Sequence, residues 1–240
     1  KSMVMVRLED DNCFLSVDSS GSLLHRRGYR QDAVVAPLRE TLAAGILQVL
    51  GWDGNKALVD AMTGSGTFAI EAAMLAANRP PGRQRQFAFM NWPRYRAGLW
   101  QSVLQEADRN RLETIPIKIC GVDLNPQAID AAKKNAHQAG VSELIDFFVL
   151  PMQELQVPAT DGLILCNPPY GERLGQKETL GELYGELGQL YKEEFSAWQA
   201  ALLSPRNSLT KATGLAWQQR LLFSNGGLKI SLLEREFSGF

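Results

Sequence analysis

Soft metal ligands are scarce in this chain of 240 residues: two histidines, His25 and His137, and three cysteines, Cys13, Cys120 and Cys166. Neither histidine lies near a cysteine, so the ligand spacing of a zinc site is missing and no metal is expected. An odd number of cysteines scattered through apolar segments reads as buried reduced thiols rather than a disulfide framework. No apolar run approaches the ~20 residues of a membrane-spanning helix, and no signal-peptide core opens the chain. Repeats and low-complexity tracts are absent. Charge of one sign is also lacking: 25 basic side chains face 26 acidic ones, for a net charge of −1. That balance weighs at first against a nucleic-acid partner. What remains, 45% hydrophobic and 21% charged, is the composition of an ordinary globular protein. The expectation is a soluble cytoplasmic chain with one large α/β domain or two small ones. It starts at Lys1 inside strand-like sequence, which suggests a domain cut from a longer protein.

Apolar runs at residues 3–8 and 13–17 flank a polar turn and predict a hairpin. A basic stretch, His25-Arg26-Arg27-Gly28-Tyr29-Arg30, follows. Pro37 opens a helix whose Leu38, Leu42, Ile46 and Val49 recur at helical spacing up to Gly51. The rhythm then becomes strand and helix in alternation. Strands are predicted at 57–60, 115–122, 145–150, 162–166 and 198–203. Helices are predicted from about 67 to 77, from Asn125-Pro126 onward, and from about 179 to 192. Apolar runs at 214–217, 221–223 and 228–233 close the chain, with Asn225-Gly226-Gly227 as a hairpin turn. Alternation of this kind implies a doubly wound parallel sheet with helices on both faces, ending in an antiparallel strand. Ligands of such sheets bind beyond the carboxyl ends of the strands.

Three of those ends carry chemistry. The first strand runs from Asp60 into Ala61-Met62-Thr63-Gly64-Ser65-Gly66-Thr67. Its two glycines allow a tight turn and close approach of a ligand, and the next helix offers free N–H groups. Gly-x-Gly-x-x-Ala suits NAD, FAD or S-adenosylmethionine, and also a purely structural turn; the Lys-Ser/Thr ending of a nucleotide-triphosphate loop is missing. The second strand ends at Asp123-Leu124-Asn125-Pro126, where an acid can accept from ribose hydroxyls or stand solvated at a strand end. The fourth ends at Asn167-Pro168-Pro169-Tyr170. Two prolines stiffen the backbone and remove N–H donors, leaving the Asn167 side-chain oxygen and the Pro168 carbonyl as acceptors beside an aromatic ring. Such a set suits a planar exocyclic amino group stacked on Tyr170.

These three segments resemble motif I, the ribose-binding acid and motif IV of class I S-adenosylmethionine-dependent methyltransferases that act on amino nitrogens. Longer stretches are similar to the THUMP-associated 23S rRNA guanine-N2 methyltransferases. They are Leu24-His25-Arg26-Arg27-Gly28-Tyr29-Arg30, Ala36-Pro37-Leu38-Arg39-Glu40-Thr41-Leu42-Ala43-Ala44, Gly64-Ser65-Gly66-Thr67 with Ile70-Glu71-Ala72-Ala73, and Asn167-Pro168-Pro169-Tyr170-Gly171-Glu172-Arg173-Leu174. The resemblance implies a seven-stranded Rossmann-like methyltransferase domain over residues 31–240, preceded at 1–30 by the last strands of a THUMP-type domain or another extension. It implies S-adenosylmethionine as cofactor, RNA (23S rRNA) as partner, and Asn167, Pro168, Pro169 and Tyr170 as the catalytic turn. Asp60, Thr63 through Thr67, Asp123, Leu124 and Met152 would hold the cofactor, and Pro37 and Thr41 would reach its methionine end. An adenine-N6 methyltransferase of DNA or RNA and a non-catalytic, methyltransferase-like RNA-binding module remain as alternatives.

Two positions depart from the family pattern. The family usually reads Asp-Pro-Met-Cys where this chain has Asp60-Ala61-Met62-Thr63. Pro151 occupies the place of an acid that meets the adenine amino group, leaving Glu154 or a backbone carbonyl near Met152 to substitute. One segment also stands apart in charge. Between Arg79 and Arg111, inside an insertion at 79–114, seven arginines face two acids, Glu106 and Asp108, and are interleaved with Phe87, Phe89, Trp92, Tyr95 and Trp100. This composition fits phosphate contact and base stacking, and equally an amphipathic flap over the core, with a helix at 98–112 packing Leu99, Val103 and Leu104. The balance of −1 is thus an average over a polarised surface, to which Arg26, Arg27 and Arg30 add a second basic cluster.

Overall fold

In the computed structural model, which describes residues 2–30, 38–169, 177–205, 208–225 and 227–236, the buried four-residue run Ala57–Asp60 forms an interior strand. The hairpin strands β1 (Val4–Glu9) and β2 (Asn12–Val17) precede it, with helix α1 (Glu40–Val49), so this strand is β3. The rest follow as α2 (Thr67–Ala76), α3 (Ala97–Arg109), β4 (Ile119–Asp123), α4 (Pro126–Ala139), β5 (Asp146–Val149), β6 (Gly162–Cys166), α5 (Lys177–Glu193), β7 (Gln199–Ser204), α6 (Ser208–Ala212), β8 (Trp217–Asn225) and β9 (Leu228–Arg235).

Seven strands form one sheet in the order β5-β4-β3-β6-β7-β9-β8. The chain lays down β3, β4 and β5 outward in one direction and then returns to place β6 on the other side of β3. That reversal opens a crevice beyond β3 and β6. The five strands from β3 to β7 run parallel, so their carboxyl ends share one edge; β9 is antiparallel to both β7 and β8. Residues alternate between the faces as a two-residue period demands. Leu58, Leu163 and Leu203 pack toward α1, α2 and α4, while Val59, Ile164 and Leu202 pack toward α5 with Phe195 and Trp198. The predicted doubly wound sheet with helices on both faces is what the chain forms.

The N-terminal hairpin stands as a separate two-stranded sheet, exposed at every position. The insertion holds its trailing segment. Arg85 donates to the carbonyls of Ser22, Leu23 and Arg26 at 2.6 to 2.8 Å, and the Ala88 and Phe89 amides donate to Ser20 and Ser19. The insertion's rings are occupied with one another: Phe87 stacks on Phe89 at 5.4 Å, and Trp100 meets both edge-on. These faces are spent on packing, so base stacking by Phe87, Phe89 and Trp100 is set aside. Of the three apolar residues expected to pack from the helix, Leu104 is buried, whereas Leu99 and Val103 are exposed.

The basic stretch before α1 is likewise not the surface patch its composition suggested. Residues 27–30 lie along α2 as a strap. Arg27 Nε pairs with Glu71 Oε1 at 2.9 Å, and the Tyr29 hydroxyl donates to the same oxygen at 3.0 Å. Arg30 donates to the Thr67 hydroxyl at 2.8 Å and to the Leu38 carbonyl at 2.9 Å, with Glu40 at 3.7 Å. Burial pushes the Glu71 carboxyl up to about 7, against the opposing pull of Arg27. Removing Arg27 lets that carboxyl rise further and leaves its charged form unpaired. Through this carboxyl Arg27→Met should therefore cost little near pH 5.5, where Glu71 is neutral, and up to about 2 kcal/mol at pH 8.5, because only the pH range above the wild-type pKa of about 7 separates the two proteins. Denaturant unfolding at the two pH values measures this; an equal loss at both would show that Glu71 does not titrate between them.

Candidate functional site

The turn after β3 is built from its own residues. Asp60, 1% exposed, accepts from the Thr63 hydroxyl through Oδ2 at 2.7 Å, and the Thr63 amide donates to the Val122 carbonyl of β4 at 2.8 Å. Thr63, where the family usually has cysteine, is thus a working part of the loop. Gly64 and Gly66 adopt φ of 53° and 84°, a region costly for other residues. A Cβ on Gly66 would also lie 3.0 Å from Ala132 of α4. The loop therefore passes close over α4, and Asn135 from that helix donates to the Ser65 carbonyl at 3.0 Å. Gly66 caps α2, and Thr67 begins it.

Asp123 ends β4, half-buried, with both oxygens directed at backbone: Oδ2 accepts from the Gly64 amide at 2.9 Å and Oδ1 from Asn125 at 2.9 Å. It ties the glycine turn to the start of α4, where the Asn125 side chain caps the Gln127 amide and Pro126 takes the first position. Beside it Leu124 is 71% exposed, an apolar side chain open to solvent at the carboxyl edge. Met152 is buried in the short turn after β5, and the Pro151 carbonyl there already accepts from the Glu154 amide.

Asn167 follows β6 directly. Asp60 is in register with Leu165 of that strand, so Asp60 and Asn167 emerge side by side at the crevice. Their side chains share a property. Asn167 Oδ1 and Asp60 Oδ1 are both buried acceptors without a hydrogen-bond partner. An unmade bond of that kind costs about 1–3 kcal/mol, which a ligand bearing N–H donors would recover. Burial, and secondarily the charge of Asp123, push the Asp60 carboxyl up to about 7, while Thr63 holds it back. A cationic amino group at Asp60 Oδ1 would draw it down again. Pro168 is buried and Pro169 half-buried; Thr41 sits exposed in the first turn of α1. Pro37 and Tyr170 lie outside the described residues.

The structure thus gathers Asp60, Thr63 to Thr67, Asp123, Leu124 and Asn167 to Pro169 on one edge of the sheet. Two residues support the site in roles that the sequence reading does not assign them, Asn135 and Arg30. Asn135 falls on the same helical face as Ala128, Ile129, Ala132 and Ala136, and a polar side chain in an apolar stripe was a legible signal. Arg30 carried no such signal, because its partner Thr67 is remote in sequence. Among the described residues no cluster of three His, Cys, Asp or Glu side chains is placed to hold a metal, and no helix is long and apolar enough to cross a membrane.

Comparison with known proteins places this geometry. Residues 27–232 match the UPF0020 family model, described as an RMKL-like methyltransferase domain. A Synechocystis protein named as an RNA methyltransferase is 40% identical over 235 residues, covering 98% of this chain and 61% of its own length. Ribosomal RNA large subunit methyltransferase K/L of Vibrio cholerae is 41% identical over 231 residues, covering 94% of this chain. The chain spans only 33% of that relative. Among solved structures, a methyltransferase determined with S-adenosylhomocysteine (SAH) superposes with a TM-score of 0.88 at 32% identity, over 97% of this chain and 61% of its own. A predicted N6-adenine-specific DNA methylase from Listeria monocytogenes superposes at 0.85 with 32% identity, over 96% and 60%. The strap, the glycine turn and the Asn167 turn all fall within the matched residues, and the chain belongs to the UPF0020 family of RMKL-like methyltransferase domains.

Proposed function

We propose that this chain is the catalytic domain of a cytoplasmic, S-adenosylmethionine-dependent RNA methyltransferase, and that its target is the exocyclic N2 of a guanine in 23S rRNA. The observation that carries the reading is the buried, unpartnered Asn167 Oδ1 at the carboxyl end of β6, beside Asp60. The names of the large-subunit relatives support rRNA as the substrate class. In the same reading, residues 1–30, whose last four strap α2, end a THUMP-type domain or another N-terminal extension, and 31–240 form the methyltransferase domain.

S-adenosylmethionine supplies an electrophilic methyl group on a sulfonium. The glycine turn and the exposed Leu124 would receive its nucleoside half, and the Asp60 carboxyl suits its amino group. The purine amine is a poor nucleophile because its lone pair is delocalised into the ring. Asn167 Oδ1 and the Pro168 carbonyl would accept its two N–H bonds and draw the nitrogen toward tetrahedral geometry, so that its lone pair can take the methyl group; the N–C bond formed replaces the S–C bond broken, S-adenosylhomocysteine is the leaving group, and one N–H proton passes to solvent. Positioning and electrostatics then lower the barrier. Tyr170 keeps the stacking role that its place in the motif implies, and the base must leave any helix to reach it.

The rival target is adenine N6, favoured by the name of the Listeria structure and by the fact that two acceptors recognise an amino group without naming the purine. Digesting RNA methylated by the protein to nucleosides decides between them. N2-methylguanosine is expected, and N6-methyladenosine alone would overturn the guanine assignment. Asn167→Ala should lower methyl transfer by at least 100-fold with cofactor affinity by calorimetry nearly unchanged; unaltered turnover would remove Asn167 from the mechanism. No cofactor binding by the wild type at millimolar concentration would favour a non-catalytic RNA-binding module instead.

The Asp60 carboxyl gives a separate test. Its pKa in the folded protein stands above the usual value, so its stabilising contribution is complete below about pH 4 and is lost as pH rises through about 7. Relative to Asp60→Asn, the cofactor-free wild type should lose at most about 1.4 kcal/mol per pH unit across that window. A stability difference independent of pH, by denaturant unfolding, would show that Asp60 stays ionised throughout.

A further inference from the structure

A cavity of about 140 Å³ opens at the other end of α2 and α4 from the glycine turn, where the insertion meets the strap. Four arginines line it, Arg27, Arg79, Arg83 and Arg111, with Asp108 as the acid among its lining residues. Three of the four have close partners. Arg27 holds Glu71 at 2.9 Å, Arg83 chelates Asp108 at 3.0 to 3.1 Å, and Arg111 holds Glu113 at 2.9 Å.

Arg79 is different. Its side chain is 12% exposed, and its nearest carboxylate is the same Glu113, at 3.9 Å. That acid is 74% exposed and already engaged by Arg111. Arg79 Nε is buried with no hydrogen-bond partner. Burial, and next the neighbouring Arg111, depress its pKa. A half-buried guanidinium with a second guanidinium nearby is best stabilised by a counter-charge that meets both, and a water-exposed carboxylate shared between them is a weak one. The cavity is large enough for a tetrahedral oxyanion, and guanidinium forks match phosphate oxygens in pairs.

We propose that this cavity is a phosphate site, held by Arg79 and Arg111 with Arg83 and Arg27 behind them, and that it grips a backbone phosphate of the RNA substrate away from the target base. The choice of RNA over a free ion rests on the function proposed above and on Arg109, exposed nearby on the same insertion with no partner among the described residues. Within the insertion the roles then divide: Phe87, Phe89 and Trp100 pack on one another, Arg85 holds the extension, and Arg79 and Arg111 bind.

Binding of the methylated rRNA to the full-length protein, followed from about 50 to 200 mM salt, tests this. Arg79→Gln and Arg111→Gln should each weaken binding and reduce the slope of log K against log salt by about 0.7 to 0.9. Arg220→Gln, on the distant edge strand β8, should leave the slope unchanged. Cofactor affinity reports folding; should Arg79→Gln lose it, the reading passes to Arg111, which is 38% exposed. Unchanged affinity and slope in the folded variants overturn the site. A thermal shift by inorganic phosphate that both variants abolish, with RNA slopes intact, overturns the RNA assignment in favour of a free ion. Failure of the wild type to bind RNA at all strikes the proposed function first, and this inference with it.

Discussion

The Glu71 carboxylate is 3% exposed, in a helix whose buried residues include Phe68, Ile70, Ala72 and Met74. A lone charge at such a place is not sustainable. Arg27 and Tyr29 make it so, and both come from the chain that arrives before the domain's first helix. One turn back along α2, Thr67 is met by Arg30 from the same strap. The pairs place α2 relative to the N-terminal segment at two heights, and α2 in turn carries the glycine turn at its start. The geometry of the sheet's carboxyl edge at the glycine turn therefore depends on a segment that composition alone assigns to the extension. Three of the stretches that carry the family resemblance, 24–30, 36–44 and 64–73, meet in this one network through Arg30, Glu40, Thr67 and Glu71.

The parts of the fold that could be read from the sequence are those with one-dimensional causes. β3 and β6 are short, wholly buried runs bounded by turn residues, and their ends coincide with the predicted ones. β4 was drawn four residues too long at its start because Ile115 and Ile117 are apolar. They pack partly buried against the core, but sheet pairing begins only at Ile119, after Pro116 has removed a donor. β8 was broken in two because Gln218, Gln219 and Arg220 are polar. It is an edge strand with an irregularity between Gln219 and Leu221, and its open side tolerates them. α6, at five residues, is too short to show a period.

In the site, the acceptors and glycines were legible because proline and glycine leave local signatures. Support from a distance was not. Nothing near Thr67 announces Arg30, and nothing near Arg79 announces that Arg111 returns beside it. Ion pairing is decided by tertiary approach, so the basic count of a segment says little about which cations remain for a ligand.

That last point bears on the charge balance. Of the ten arginines in the two basic segments, Arg27 and Arg30 are consumed along α2, Arg85 by three backbone carbonyls, and Arg83 by Asp108. Arg26, Arg94, Arg96 and Arg109 stay exposed without a partner among the described residues. The polarised surface is real but thinner than its composition. With Arg79 added, and with Arg111 exchanging the water-exposed Glu113 for a phosphate in the proposed site, about six cations would be available to phosphates, each worth a slope of roughly 0.7 to 0.9 in salt dependence. On the proposed function, electrostatics on that scale would bring RNA to the surface without choosing among RNAs. Choice must come from whatever fits the crevice between Asp60 and Asn167, and from parts of the longer relatives that this chain does not span.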